Sequence, residues 1–285
     1  MAMIKGQKRL SRSRGGDFFM YFVMFFFGII FAIPLYYTVL TSFKPLNEMS
    51  VFPPRFYIVN PTTENYTLML RLLSSTKVPF ARYLWNTVFV TVIGTVGGIV
   101  ISSIAAYPLA KHQFAGKALL YNIIVWAMMY GGDAAGVPTF LIISGLGLFD
   151  SYFSMFLPAW SGTGGTFMMR QFMEASIPDA VVEAAKIDGA NEWHIFWRMI
   201  MPNVKPAWLT QIIFSFGSYW NSGGGYIFQE NIKLLSTALG QITASGASRA
   251  GAGCAVGIMM LIPPLVLFLF SQSSIMETMS TAGLK

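Results

Sequence analysis

Residues 18–43 read Phe-Phe-Met-Tyr-Phe-Val-Met-Phe-Phe-Phe-Gly-Ile-Ile-Phe-Ala-Ile-Pro-Leu-Tyr-Tyr-Thr-Val-Leu-Thr-Ser-Phe, 26 residues without one charge. A helix needs roughly 20 largely apolar residues to cross the hydrocarbon core of a bilayer. This stretch is long enough. Lys5, Lys8, Arg9, Arg12 and Arg14 precede it, which is also how a secretory leader begins. A leader, however, has an apolar core of about 7–15 residues followed by a small-x-small cleavage site. Here the run is longer and Lys44-Pro45 follows. It reads as a retained first span, with residues 1–16 as a basic tail and 17–285 as one transmembrane domain.

Working outward, five more runs approach spanning length: 84–110, 118–143, 151–169, 204–220 and 251–270. The third is interrupted by Gly131-Gly132-Asp133 and Pro138, and the fourth by Pro158 and Gly162, Gly164 and Gly165. Broken apolar helices suit a bundle that lines a watery path. The expected fold class is an all-α integral membrane protein with six transmembrane helices. Composition agrees. Of 285 residues, 54% are hydrophobic and 11% charged, where soluble domains carry about 25% charge. So little charge cannot coat a water-facing surface, and lipid is the implied neighbour.

The net charge of +7 would fit nucleic acid only if the cations formed a patch. They fall instead in the gaps between apolar runs, as in loops beside anionic lipid. Six crossings put both termini on one side. With the N-terminus inside, Lys5, Lys8, Arg9, Arg12, Arg14, Lys111, Lys117, Arg170, Lys186, Arg198, Lys205 and Lys285 are inner, and Lys44, Arg55, Arg71, Lys77, Arg82, Lys233 and Arg249 are outer. The excess of inner cations places both termini in the cytoplasm. Outer loops are expected at about 44–82 and 221–250.

In the second run Gly94, Gly98, Ser102 and Ala106 recur every four residues and make one smooth helix face. It serves either packing inside the bundle or pairing with a partner subunit, and internal packing is the commoner use.

The inner segment 173–205 has its own pattern. Pro178 and Asp179 suit the first turn of a helix, and Val181, Ala184, Ala185 and Asp188 share a face. Gly189 can take the left-handed conformation that ends a helix. Asn191 can cap a second helix, with Glu192 in its first turn and an apolar stripe of Ile195, Phe196 and Met199, stopped at Pro202. Spacing alone supports an amphipathic hairpin at the membrane face, with or without a partner.

This segment resembles the EAA loop of ABC importer permeases: Glu183-Ala184-Ala185, three residues, Gly189, nine residues, then Met199-Ile200-Met201-Pro202 where the family carries Ile-x-Leu-Pro.

Met199 and Met201 thus stand where the family carries Ile and Leu, and both keep an apolar side chain. The wording Ile187-Asp188-Gly189-Ala190 and Trp193 to Arg198 is similar to the carbohydrate-uptake branch, in particular the maltose-type second permease subunit. The resemblance covers about 17–285, through Thr41-Ser42-Phe43-Lys44-Pro45, Glu64-Asn65-Tyr66, Asn86, Ala105-Ala106-Tyr107, Gly145-Leu146-Gly147-Leu148, Leu157-Pro158 and Thr281-Ala282-Gly283. Ser222 stands where an acidic residue is common, and Gly131-Gly132-Asp133 where many relatives carry proline, which leaves the substrate open.

The resemblance implies a subunit of a bacterial sugar importer in the cytoplasmic membrane. It would pair with a second permease subunit and rest on two ABC ATPase subunits. An extracytoplasmic sugar-binding protein would feed it. Glu183, Ala184, Ala185, Asp188, Gly189 and Pro202 would form the ATPase-coupling element, and ATP and Mg would bind the ATPase. No cofactor is expected in this chain. Gly116-Lys117-Ala118 lacks the upstream glycine of a phosphate-cradling loop, so this chain is not expected to hydrolyse ATP by that route. His112, His194 and the single Cys254 show no metal-ligand spacing.

Sugar sites set aromatic faces beside hydrogen-bonding groups. Candidates near the path are Tyr130, Asp133, Trp160, Tyr219, Trp220 and Asn221, although Trp and Tyr also anchor membrane interfaces. Asp133 stands out, because a carboxylate inside a span is costly and faces a cavity or a partner. An ion-coupled secondary transporter acting alone is the competing reading, but no inverted repeat is visible between 1–143 and 144–285. A membrane enzyme would need a nucleophile–base or metal constellation, which the sequence does not offer.

Overall fold

The computed structural model describes residues 14–74, 78–130, 132–227, 229–243 and 249–282. In chain order its helices are α1 (Arg14–Ser42), α2 (Leu46–Met49), α3 (Glu64–Ser74), α4 (Phe80–Lys111), α5 (Lys117–Met129), α6 (Gly132–Gly145), α7 (Phe153–Trp160), α8 (Thr163–Ser176), α9 (Asp179–Ile187), α10 (Glu192–His194), α11 (Met201–Asn203), α12 (Lys205–Trp220), α13 (Leu235–Thr243) and α14 (Ala250–Ala282). A π-type stretch, Ile195–Ile200, joins α10 to α11. Among the described residues there is no strand.

Among the described residues, three helices are long and apolar enough to cross a membrane: Gly15–Ser42, Phe80–Lys111 and Ala250–Gln272. On α1 the rings of Phe18, Phe25 and Phe31 are exposed, as lipid-facing side chains are. The expected third and fourth spans are each broken in two. Tyr130 ends α5 in an extended conformation. Gly162, at φ −58° and ψ 115°, separates α7 from α8. The helix α8 continues past the expected end at 169, because nothing in Arg170-Gln171-Phe172-Met173-Glu174 opposes helix. The stop comes at Ile177, which precedes Pro178 and is extended, as a residue before proline prefers. The expected outer loops are not wholly irregular, since α3 and α13 form within them.

The chain divides into two compact units. In the first, residues 43–66 fold over the C-terminal end of α1. Asn65 Nδ2 donates to the carbonyls of Ser42 and Lys44, both at 2.8 Å. Glu48 accepts the backbone N–H groups of Val59 and Asn60 at 3.1 and 2.8 Å. These bonds satisfy main-chain groups that no helix partners.

The second unit is built on α4, which packs against α7, α8 and α12. Gly94, Gly98, Ser102 and Ala106 are all buried, so the small-residue face serves packing within the chain. The Trp160 ring lies against Gly97, where an added Cβ would sit 2.6 Å from it. At the N-terminal end of α4, Asn86 Nδ2 donates to the carbonyls of Asn231 and Lys233 at 2.9 and 3.0 Å. Tyr152 Oη donates to Asn86 Oδ1 at 2.8 Å.

Candidate functional site

The segment after α8 folds as a helical hairpin. Pro178 precedes α9 in an extended conformation. After α9 the backbone reverses through Gly189 at φ +81°, with nothing within 4 Å of where a Cβ would stand. Glycine is required there by the backbone and not by crowding. Asn191 Oδ1 then accepts the backbone N–H of His194 at 2.7 Å, which caps the second arm as its residue type predicts.

Pro202 does not end that arm, contrary to expectation. It sits in the first turn of α11, where a missing N–H costs little, and follows the wider π stretch. The helix breaks two residues later, at Val204 with φ −98° and ψ 24°. Nothing in residue types alone marks the π stretch, so the sequence pattern put the stop at the proline.

One face of the hairpin is fixed to the bundle. Val182, Ala185, Ile195, Phe196 and Ile200 are buried with Ala106, Tyr107 and Ala110 of α4, Met169 and Met173 of α8, and Ala207 of α12. Full burial of Ile195 and Phe196 stabilises this seat by about 1.5–3 kcal/mol each. The two alanines of the EAA sequence therefore divide. Ala185 belongs to the chain's own core, whereas Ala184 is exposed with Val181, Glu183 and Asp188. An open groove of about 820 Å³ runs between the arms, lined by Val181, Ala184, Asp188, Gly189, His194 and Met199 among others.

Polar bonds pin the same seat. Tyr107 Oη donates to Glu192 Oε2 at 2.6 Å. Lys186 Nζ lies 2.8 Å from Glu192 Oε1, and His112 Nε2 lies 3.4 Å from Glu192 Oε2. The Lys186 and Tyr107 donors hold the Glu192 carboxyl below its ordinary range. Lys111 Nζ donates to the Ile177 carbonyl at 2.6 Å and to Asp179 Oδ1 at 2.7 Å, and this pairing keeps the Asp179 carboxyl low as well. Arg170 lies over the Tyr121 ring at 3.8 Å and donates to the Leu109 carbonyl at 3.2 Å.

Among the path candidates whose side chains are described, Trp160 and Tyr219 meet at one core cluster. Tyr130 is exposed at the end of α5. Asp133 falls in α6, but its side chain lies outside the described residues. Trp160 Nε1 donates to the Gly94 carbonyl at 3.1 Å, with its ring stacked on Phe156 at 5.2 Å. Trp220 Nε1 donates to the Met260 carbonyl at 3.0 Å, and its ring stacks on Phe216. Both indoles have their single N–H donor engaged within the chain. Asn221 is exposed and its Nδ2 caps the Gly217 carbonyl at 2.9 Å.

Tyr219 is different. It lines a groove of about 440 Å³ between α4, α8 and α12, together with Ser102, Gln211, Phe214, Ser215 and Ser218. Sequence reasoning missed Gln211, although Gln211, Ser215, Ser218 and Tyr219 recur at i, i+4, i+7 and i+8. That spacing marks a polar stripe on an apolar helix.

Residues 98–276 match the sequence pattern of the family described as "Binding-protein-dependent transport system inner membrane component". The chain belongs to this family. The permease is 32% identical, over 74% of its length and 71% of the relative's, to the polygalacturonan/rhamnogalacturonan transport system permease protein YtcP of Bacillus subtilis. It is 28% identical to the sn-glycerol-3-phosphate transport system permease protein UgpE of Yersinia pestis, over 92% of its own length and 95% of that chain. Its fold matches a chain in the crystal structure of a bacterial ABC transporter involved in the import of the acidic polysaccharide alginate. The TM-score is 0.75 at 25% identity, covering 92% of the permease and 98% of that chain. The protein is thus a multi-pass, membrane-embedded ABC importer permease, and its relatives are transport subunits.

Proposed function

We propose that this permease moves an oligosaccharide across the bacterial cytoplasmic membrane, as one half of a heterodimeric pair. Its six crossings keep both termini in the cytoplasm. Two of them are the broken pairs α5/α6 and α7/α8, whose interruptions lie where backbone can face protein or water. Residues 173–205 form the EAA coupling segment. The observation that carries this reading is the divided hairpin: one face is buried in the bundle, and the other is an open groove with Val181, Ala184 and Asp188 on its wall.

That arrangement suits a lever. The ATPase grips the open face, and the buried face passes its movement to α4, α8 and α12. Glu183, exposed on α9, pairs with a basic group on the ATPase. Gly189 sets the angle between the arms. Pro202 starts the last helical piece before α12. ATP and Mg bind the ATPase subunits, and an extracytoplasmic binding protein delivers the sugar. Relatives named for polygalacturonan and alginate transport favour an oligosaccharide over a smaller solute.

The test is uptake into proteoliposomes holding both permease subunits and the ATPase, with ATP inside and binding protein outside. Labelled tetragalacturonate and maltotetraose are the probes. Uptake of either that requires both ATP and the binding protein supports the reading. Uptake by this chain alone, driven by an ion gradient, would overturn it.

A further inference from the structure

We propose that residues 51–59 form a lipid anchor: Phe52, Phe56 and Tyr57 enter the leaflet at the C-terminal end of α1, and Arg55 meets a phospholipid phosphate. That this leaflet is the outer one rests on the six-crossing reading; the lipid contact itself does not. The segment is apolar and exposed, where a loop in water would be polar. Phe52 is 92% exposed, and Phe56, Tyr57 and Val59 are each more than half exposed.

The level at which the loop is fastened points to the bilayer. Roughly 20 apolar residues cross the hydrocarbon core, and counted from Phe18 they end at Tyr37. Tyr36 Oη donates to the Phe56 carbonyl at 3.2 Å, and the Tyr37 and Phe56 rings lie 5.6 Å apart. Lys44 is buried, donates to the Arg55 carbonyl and lies 5.3 Å from the centre of the Tyr37 ring. The far end of the loop is held by Glu48 through the N–H groups of Val59 and Asn60. The chain therefore follows α1 up to Ser42, turns, and returns beside it to the level of Tyr36 and Tyr37. Leu35, Tyr36 and Val39 of α1 are exposed there, so the lipid-facing surface of α1 continues onto the loop.

The chemistry of the loop suits the headgroup boundary. Amphipathic aromatic rings favour that zone. Arg55 is the only charged residue between Glu48 and Glu64. It is exposed, with its guanidinium 5.9 Å from the Tyr57 ring. A guanidinium binds a phosphate through parallel hydrogen bonds, and no carboxylate within 49–63 repels one. A soluble protein partner would call for a polar rim, whereas within 51–59 only Arg55 and Tyr57 carry a polar side chain.

The test reads depth with a spin label. Phe52→Cys and, separately, Asn60→Cys are made with Cys254→Ala, since Cys254 is the only native cysteine. Asn60 is the water-side reference, because it is exposed and Thr62 beside it donates to the Phe43 carbonyl, past the end of α1. Each labelled chain is reconstituted as the full complex in phosphatidylethanolamine–phosphatidylglycerol vesicles. Oxygen concentrates in hydrocarbon, and a nickel chelate stays in water. The Phe52 label should collide with oxygen at least about threefold more than with the chelate, as a group set below the headgroups does. A Phe52 label that the chelate reaches as freely as it reaches the Asn60 label overturns the anchor. So does a Phe52 label shielded from both probes, which marks a protein contact, or one shielded only when the binding protein is added. In intact cells a membrane-impermeant maleimide should label Asn60→Cys. Labelling only after lysis overturns the six-crossing orientation and leaves the anchor, which the Phe52 label reads independently.

Discussion

Tyr107 Oη donates a 2.6 Å hydrogen bond to Glu192 Oε2, and this bond ties the C-terminal end of α4 to the turn of the hairpin. Tyr107 is 7% exposed, so its hydroxyl has little water to fall back on. Tyr107→Phe removes the donor and keeps the ring. Because the Glu192 side chain is about half exposed, the loss should be near 1 kcal/mol, below the ~1.5–3 kcal/mol of a hydrogen bond to a charged group. The expected result is a lower thermal midpoint of the purified complex and fewer sugars moved per ATP, with membrane insertion unchanged.

Acid should loosen the same joint. Lys186 first, then Tyr107, hold the Glu192 carboxyl below its ordinary value of 4.5, and Lys111 does the same for Asp179. A depressed carboxyl contributes stability above its unfolded value and loses it as pH falls through the folded one. The hairpin should therefore stay protected near neutrality and open below about pH 4.5. Hydrogen exchange of the 179–203 amides against pH checks this, and Glu192→Gln should flatten the part of the profile that this group causes.

Gly189 stands at φ +81° with open space around it, so any substitution acts through the backbone. Gly189→Val should cost about 1–2 kcal/mol or more, and Gly189→Asn clearly less, since Asn tolerates the left-handed region. Retention of the ATPase on affinity-purified permease should follow the order Gly, Asn, Val.

Two glycines on α4 should behave oppositely. A Cβ at Gly94 would stand 2.3 Å from the Tyr219 ring, whereas at Gly98 the nearest atom is 3.8 Å away. Gly94→Ala should destabilise by about 1–3 kcal/mol through overpacking, and Gly98→Ala should be close to neutral. Thermal unfolding of the two variants in detergent distinguishes them.

What the sequence made legible was what local pattern encodes. The long uncharged run 18–43, the left-handed turn at Gly189 and the Asn191 cap all follow from single residues or short spacings. The polar seat was not legible, because Tyr107 and Glu192 stand 85 positions apart, and Ser102 and Gln211 stand 109 apart. No periodicity reports such pairs. The four-residue spacing of Gly94, Gly98 and Ser102 signalled a close approach without naming α12 as the visitor. Val181, Ala184, Ala185 and Asp188 were read as one face, but successive helix residues turn by about 100°. Ala185 therefore lies at the edge of that face, and in the structure it turns inward.

The central claim is that the open face of the hairpin receives the ATPase. Benzoylphenylalanine in place of Ala184, which is exposed on that face, tests it directly in the reconstituted complex. Irradiation should join the permease to the ATPase subunit, identified by mass spectrometry, while the same probe replacing the exposed Phe25 on α1 should not. If the Ala184 probe leaves the ATPase unlinked in vesicles that transport sugar, the coupling account is contradicted.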